Sequence, residues 1–193
     1  MPTRHGHRSG ASEADLQSLG FQLGADVPMC LAGRPSIARG AGERLEPALA
    51  PPDCALVLAN PGVPTPTGAV FRAFDEGPPP PSQPHALPDS FAGTAGFAAA
   101  LRAARNDLEP PARRLVPVID DVLALLNTAT GCFLARMSGS GATCFAVFDT
   151  PAEARQACAQ VRHAKPDWWA VATRFDTSAN SPAAGGAQEK TGA

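Results

Sequence analysis

The sequence predicts an α+β fold in which helices cover one face of a mainly antiparallel sheet. Three observations predict it. Residues 132–148, CFLARMSGSGATCFAVF, hold two strand-forming runs, Cys132–Met137 and Thr143–Phe148, on either side of a Ser-Gly-Ser-Gly centre. Ala55–Asn60, ALVLAN, is a continuous apolar run of buried-strand type. From Ala55 onward the order then reads strand, helices, two strands joined by a turn, helix, strand.

Met1–Gly10 is polar and is expected to be unstructured. Ser12 followed by Asp15 forms a capping-box variant, and Leu16, Leu19, Phe21 and Leu23 give a short amphipathic helix ending at Gly20 or Gly24. Pro28 is expected to stop any continuing helix. Asp26, set among small and apolar residues, then has two readings. It bonds its own backbone before a proline turn, or it is an acid held in a partly desolvated cleft, as a general base would be.

Ser36–Leu45 reads as a strand entering a turn punctuated by Gly40 and Gly42, with Glu43 and Arg44 pairing with each other or, by default, facing solvent. After Ala55–Asn60, residues 61–67 make a rigid proline-rich loop, and Thr67 is expected to cap a helix over Gly68–Phe74. Gly77–Ser90 is a proline-rich insert of extended, exposed character. Ser90–Arg105 reads as a helix, residues 106–111 as a break, and Leu115–Asn127 as a second helix. The buried face of that helix is Val118, Ile119, Val122, Leu123, Leu125 and Leu126. Pro151–His163 is an alanine-rich helix with Ala154, Ala157, Cys158 and Val161 on one face. Asp167–Thr173 closes the sheet, and the tail from Thr177 is expected to be disordered.

Composition removes several function classes. A chain of 193 residues with 44% hydrophobic content can build a core for one large domain or two small ones. Net charge is -2 with no long basic run, which argues against bulk attraction to nucleic acid. Tyrosine is absent and aromatics are few, so a base-stacking single-strand binder is disfavoured. No apolar run approaches the roughly 18 residues of a membrane span. The five cysteines show no C-x-x-C spacing and read as buried free thiols, with no metal site among them. A cytoplasmic protein without nucleic-acid or membrane partners is the expectation.

The Ser138–Gly141 turn is the stretch with chemistry in it. Gly139 and Gly141 permit positive φ and let backbone N–H groups converge on an anion, and the Ser138 and Ser140 hydroxyls add donors. An ordinary flexible hairpin is the alternative reading of the same residues.

GADVP at 24–28, ARGAGERL at 38–45, NPGVPTPTGAVF at 60–71, NDLE at 106–109 and RMSGSGATCFAVF at 136–148 occur in an order that resembles one enzyme family. The turn alone is similar to the superfamily of galactokinase, homoserine kinase, mevalonate kinase and phosphomevalonate kinase. The combination, over about Leu16–Phe175, resembles the carboxy-terminal two thirds of 4-diphosphocytidyl-2-C-methyl-D-erythritol kinases.

That resemblance implies a small-molecule kinase of non-mevalonate isoprenoid biosynthesis. It would use ATP as co-substrate, with Mg2+, to phosphorylate the 2-hydroxyl of 4-diphosphocytidyl-2-C-methyl-D-erythritol. It implies that Asp26 is the catalytic aspartate, that Thr67 and Phe71 line the nucleoside pocket, and that Ser138, Gly139, Ser140 and Gly141 close over a phosphate. It also implies a ferredoxin-like carboxy-terminal domain over 54–176. Residues 11–53 would be an incomplete remnant of the amino-terminal kinase domain, between a disordered start (1–10) and tail (177–193). The family's glycine- and serine-rich phosphate loop and its lysine are expected upstream of Asp26, where MPTRHGHRSGASEAD holds neither. The expectation is therefore a truncated chain, inactive alone and self-associating through its amino-terminal third, or else a non-catalytic binding domain derived from the kinase.

Overall fold

The computed structural model describes residues 12–79 and 88–175. The polar start, most of the proline-rich insert and the tail lie outside the described residues. Those residues fall into two compact units, 12–50 and Pro51–Phe175.

In the first unit, α1 (Glu13–Leu23) begins at Ser12, whose hydroxyl accepts from the Asp15 amide, while the Asp15 carboxylate accepts from the Ser12 amide and hydroxyl. The capping box is thus complete. The Ser12 hydroxyl and then its amide hold the Asp15 carboxyl below its usual range. Gly24 ends the helix by returning its amide to the Gly20 carbonyl.

Helix α1 ends before Pro28, as expected, and Pro28 then opens a helix of its own. It sits in the first turn of α2 (Val27–Ala32), where a proline lacks only an N–H that has no partner anyway. The strand entering a turn at Ser36–Leu45 is present, and the chain returns from it to complete a hairpin: β1 (Ser36–Arg39) pairs antiparallel with β2 (Arg44–Pro47), Ser36 opposite Pro47. Glu43 and Arg44 are both exposed, as expected. The Glu43 carboxylate curls back to accept from the Ala41 amide at 2.6 Å and lies 3.9 Å from Arg44.

The second unit opens with β3 (Ala55–Asn60), as the apolar run predicted. The helices α3 (Thr67–Asp75), α4 (Gly93–Ala103), α5 (Glu109–Leu115) and α6 (Val118–Asn127) follow. Then come β4 (Leu134–Met137), β5 (Cys144–Phe148), α7 (Pro151–Ala164) and β6 (Trp169–Arg174). The sheet order is β4-β5-β3-β6, every neighbour antiparallel, with Leu134 opposite Val147, Leu56 opposite Val147 and Leu56 opposite Thr173. This is the β-α-β-β-α-β arrangement of ferredoxin-like folds, with extra helices inside the first crossover.

Three expectations change here. Pro110 and Pro111 do not extend a break but open α5, and the chain is interrupted instead at Val116 and Pro117 before α6. The expected single helix over Leu115–Asn127 is therefore α6 alone. Helices also cover both faces of the sheet. Ala55, Val57, Ala59, Ala146 and Phe148 pack with α6 and α7, while Leu56 and Val147 on the other face pack with Phe97 of α4, Phe91 and Leu101. A strand of unbroken apolar residues has two faces to bury, and α4 is what buries the second. Phe97 stands edge-on to Phe91 with ring centres 5.1 Å apart.

Of the expected α6 face, Ile119, Val122, Leu123 and Leu126 are buried; Val118 and Leu125 are only partly so. Helix α7 buries Ala154, Ala157, Cys158 and Val161, the four residues its spacing predicts. Arg136 of β4 donates to the Leu101 and Ala104 carbonyls, satisfying acceptors that the end of α4 would leave open. Among the described residues no helix is long and apolar enough to cross a membrane.

Candidate functional site

The site is built on the connection between β4 and β5. The Ser138 amide donates to the Thr143 carbonyl at 2.9 Å and the Gly141 amide to the Ser138 carbonyl at 3.0 Å, which folds residues 138–143 into a tight turn. Gly141 has φ +86°, and a Cβ there would lie 2.8 Å from Met137 Sδ and 3.2 Å from Ile119 Cδ1. No other residue fits that position without moving the core beneath it. The Gly139 and Ser140 amides make no hydrogen bond to the described residues. Two backbone donors and a serine hydroxyl therefore stand together, an arrangement that suits an anion.

Thr67 does not cap its helix. It is the first residue of α3, Pro66 holds the cap position, and no side-chain cap bond is made there. Its hydroxyl instead lies 3.0 Å from the Ser140 hydroxyl. Two stretches 73 residues apart in sequence meet at that contact. Phe71, one turn along α3 on the same side, is 48% exposed, which leaves an aromatic face open beside the turn's partner helix.

Residues not singled out from the sequence complete the frame. Asn60, at the end of β3, donates to the Thr143 hydroxyl at 2.8 Å and accepts from the Gly62 amide at 2.7 Å, which ties the 61–66 loop to the turn. Within that loop the Thr65 hydroxyl oxygen is buried without a partner. Asn106 donates to the Met137 carbonyl at 3.1 Å and the Gly139 carbonyl at 2.9 Å while accepting from the Leu108 amide. Glu109 accepts from the Met137 amide at 3.4 Å and pairs with Arg113. The only signal for Asn106 and Glu109 in the sequence was the NDLE motif, which says nothing of what those side chains hold.

Cys144 lies behind the turn, fully buried, and its thiol is pushed up to about 12, chiefly by burial and then by the charge of Glu109. Cys54 is pushed up to about 11, again chiefly by burial. Both are core groups, not nucleophiles. All five cysteines are free, Cys30 alone among them exposed.

Asp26 stands in the other unit. It occupies the cap position of α2, is exposed, and makes no side-chain cap hydrogen bond. Taken within its own unit, the carboxylate is neither bonded to its helix nor withdrawn from water. The hairpin comes close to it: Gly42, φ +108°, lets its backbone approach the Ala25 carbonyl to where a Cβ would be only 2.6 Å away. GADVP and ARGAGERL therefore share one surface.

Among the described residues no three histidine, cysteine or carboxylate groups converge on a point that could hold a metal. The turn itself offers N–H groups, which repel a cation, and serine hydroxyls but no carboxylate, so by itself it does not make a Mg2+ site.

Residues 94–167 match the family model described as GHMP kinases C terminal. The chain is 50% identical over 154 residues to a 4-diphosphocytidyl-2-C-methyl-D-erythritol kinase of Dinoroseobacter shibae, covering 80% of this chain and 53% of that protein. It is 53% identical over 163 residues to the kinase of that name from Rhizobium johnstonii, covering 83% and 52%. A solved 4-(cytidine 5'-diphospho)-2C-methyl-D-erythritol kinase superposes with TM-score 0.63 at 37% identity, over 82% of this chain and 56% of that one. A homoserine kinase from Cytophaga hutchinsonii, 18% identical with TM-score 0.54 over 79% and 51%, shares the fold. The chain spans about half the length of the curated relatives it matches, less than the two thirds its motifs implied.

Proposed function

We propose that this chain, homologous over most of its length to 4-diphosphocytidyl-2-C-methyl-D-erythritol kinases and carrying a GHMP kinase C-terminal domain, serves ATP-dependent phosphorylation of the 2-hydroxyl of that cytidine-diphosphate methylerythritol. The observation that carries this reading is the contact between Thr67 and Ser140. It joins the stretch expected to meet the nucleoside to the turn expected to meet a phosphate, so one ligand with a base at one end and phosphates at the other can span both.

In this reading Phe71 offers its exposed ring to the cytosine face, and Thr67 hydrogen-bonds the nucleoside. The Gly139 and Ser140 amides receive phosphate oxygens. Asp26 accepts the proton of the attacking hydroxyl as its oxygen bonds to the γ-phosphorus and the bond to the β-phosphate oxygen breaks, releasing ADP. Mg2+ belongs to the nucleotide's phosphates. Residues 54–176 form the carboxy-terminal domain in this account, and 11–53 belong to the amino-terminal kinase domain. The reaction sits in isoprenoid biosynthesis in the cytoplasm.

The test is transfer from ATP to the cytidine-diphosphate alcohol, compared between Asp26→Asn and its parent in a protein that also carries the family's amino-terminal phosphate loop and lysine. Product formation that falls about 10²- to 10⁴-fold in the variant, with a smaller change in substrate affinity, is expected of a proton acceptor. Saturable binding of the cytidine ligand with no product would assign the chain to a binding role instead. Absence of both binding and product would contradict the reading.

A further inference from the structure

The Ser138–Gly141 turn does not hold its own shape. Its internal hydrogen bonds are Ser138 to Thr143 and Gly141 to Ser138, and neither touches the peptide between Gly139 and Ser140 that presents the Ser140 N–H. That part of the backbone is fixed from outside. Asn106 spends both protons of its side-chain amide on the turn, one on the Met137 carbonyl and one on the Gly139 carbonyl. The Gly139 carbonyl belongs to the same peptide unit as the Ser140 N–H, so holding one aims the other. Asn106 is in turn fixed by the Leu108 amide bonded to its Oδ1, which also settles which end of the side chain faces the turn. Glu109, three residues on, takes the Met137 N–H from the same side. The outward backbone groups of Met137, on the terminal strand of the sheet, are thus both occupied by side chains of one short segment.

We infer that Asn106 is a positioning residue: it orients the Gly139–Ser140 peptide so that the Ser140 N–H faces an incoming phosphate. The inference rests on the reading of the turn as the phosphate-receiving element. An asparagine is needed because two carbonyl oxygens must be met by two donors, while a third group, an amide, must be met by an acceptor. Aspartate has nearly the same shape and the wrong polarity. Ionised, it sets an anion about 3 Å from two carbonyl oxygens, which turns the peptide away. Protonated, it regains one donor.

The experiment compares the full chain with Asn106→Asp and Asn106→Ala. Two readouts are taken: hydrogen exchange of the Ser138–Gly141 amides without ligand, and affinity for inorganic pyrophosphate from amide chemical shifts, at neutral and at mildly acidic pH. Unchanged exchange in β3 and α6 shows that each variant is folded. Both variants are expected to speed exchange in the turn and to weaken pyrophosphate about tenfold at neutral pH, as losing two hydrogen bonds of ordinary strength requires. Asn106→Asp is expected to recover affinity on acidification and Asn106→Ala is not. A pH effect of pyrophosphate itself, or of the charged groups around Asn106 (Arg102, Arg105, Asp107, Glu109 and Arg136), appears in the wild-type titration and is subtracted there. Altered exchange with no pyrophosphate binding even by the wild-type chain overturns the phosphate-receiving reading and with it the role assigned to Asn106. Wild-type binding with unchanged exchange and affinity in both variants overturns the role of Asn106 alone.

Discussion

The two units of this chain contain helices of similar design and very different interiors. Helix α1 begins with a complete Ser-Asp capping box and α7 with a complete Thr-Glu one. Yet α7 buries four residues on one stripe, whereas Leu16, Leu19, Phe21 and Leu23 of α1 are all exposed, Leu23 at 77%. Met29 and Leu31 of α2 are exposed too. In the unit of residues 51–175, two apolar clusters, one on each face of the sheet, supply the core. Capping chemistry is local and sets where a helix starts. Packing is not local, and it supplies most of a short helix's stability. An amphipathic pattern in the first unit therefore yields helices without a core of their own.

The largest test of this contrast exchanges one leucine in each unit. Leu126→Ala, at a fully buried site of α6, should cost about 2–5 kcal/mol. Leu23→Ala should stay within about 0.5 kcal/mol. Urea unfolding followed by circular dichroism checks both, and equal shifts would break the comparison.

Gly141→Ala comes next. It forces a side chain against Met137 and Ile119 at a positive φ, and about 1–3 kcal/mol of destabilisation is expected from crowding and backbone strain together. Gly139→Ala meets open space and carries only the backbone cost, so it should be the milder of the two by thermal melting.

How much of this was legible beforehand depends on where each residue's partner lies. Helix α7 and strand β3 were readable because their signal, a periodic or continuous apolar run, is contained within the element. Pro110 and Pro111 misled because a proline pair marks a break and a helix start equally well, and only the chain's path decides. Thr67 looked like a cap because capping is the local use of a threonine before a helix. Its actual partner, Ser140, is 73 residues away, beyond any local rule. Asn106 was missed for the same reason, its acceptors lying 31 and 33 residues downstream. The turn itself was readable as a possible anion receiver, whereas the frame that shapes it was not.

The caps sharpen the comparison at smaller scale. Thr150→Ala should lower the main unfolding transition by about 1 kcal/mol, since α7 is part of the core. Ser12→Ala removes the same kind of bond and should leave that transition in place, while increasing amide exchange in the first turn of α1. A common loss of global stability in both variants would show that the two units unfold as one.

The smallest effect is in alkali. Cys54 and Cys144 keep their protons to about 11 and about 12 in the folded chain, against an ordinary value of 9.0. Above 9 the unfolded chain releases protons that the folded chain retains, so stability is fully present below that point and declines as pH rises towards those values. Tyrosine, which titrates in the same range, is absent, which removes one competing contribution. The urea midpoint should fall with rising pH in the wild type and fall less in Cys144→Ala. A midpoint flat through this range would mean that the thiols are not held as described.

The central claim is that the α3 stretch and the β4–β5 turn form one ligand surface within residues 51–175. The most direct test is a single titration of the chain with cytidine 5′-diphosphate, following the Phe71 ring and the Gly139, Ser140 and Gly141 amides in the same nuclear magnetic resonance experiment. The account predicts that the ring and the turn amides shift together and saturate with one dissociation constant. Movement of one without the other, or shifts that appear elsewhere and leave both still, would contradict it.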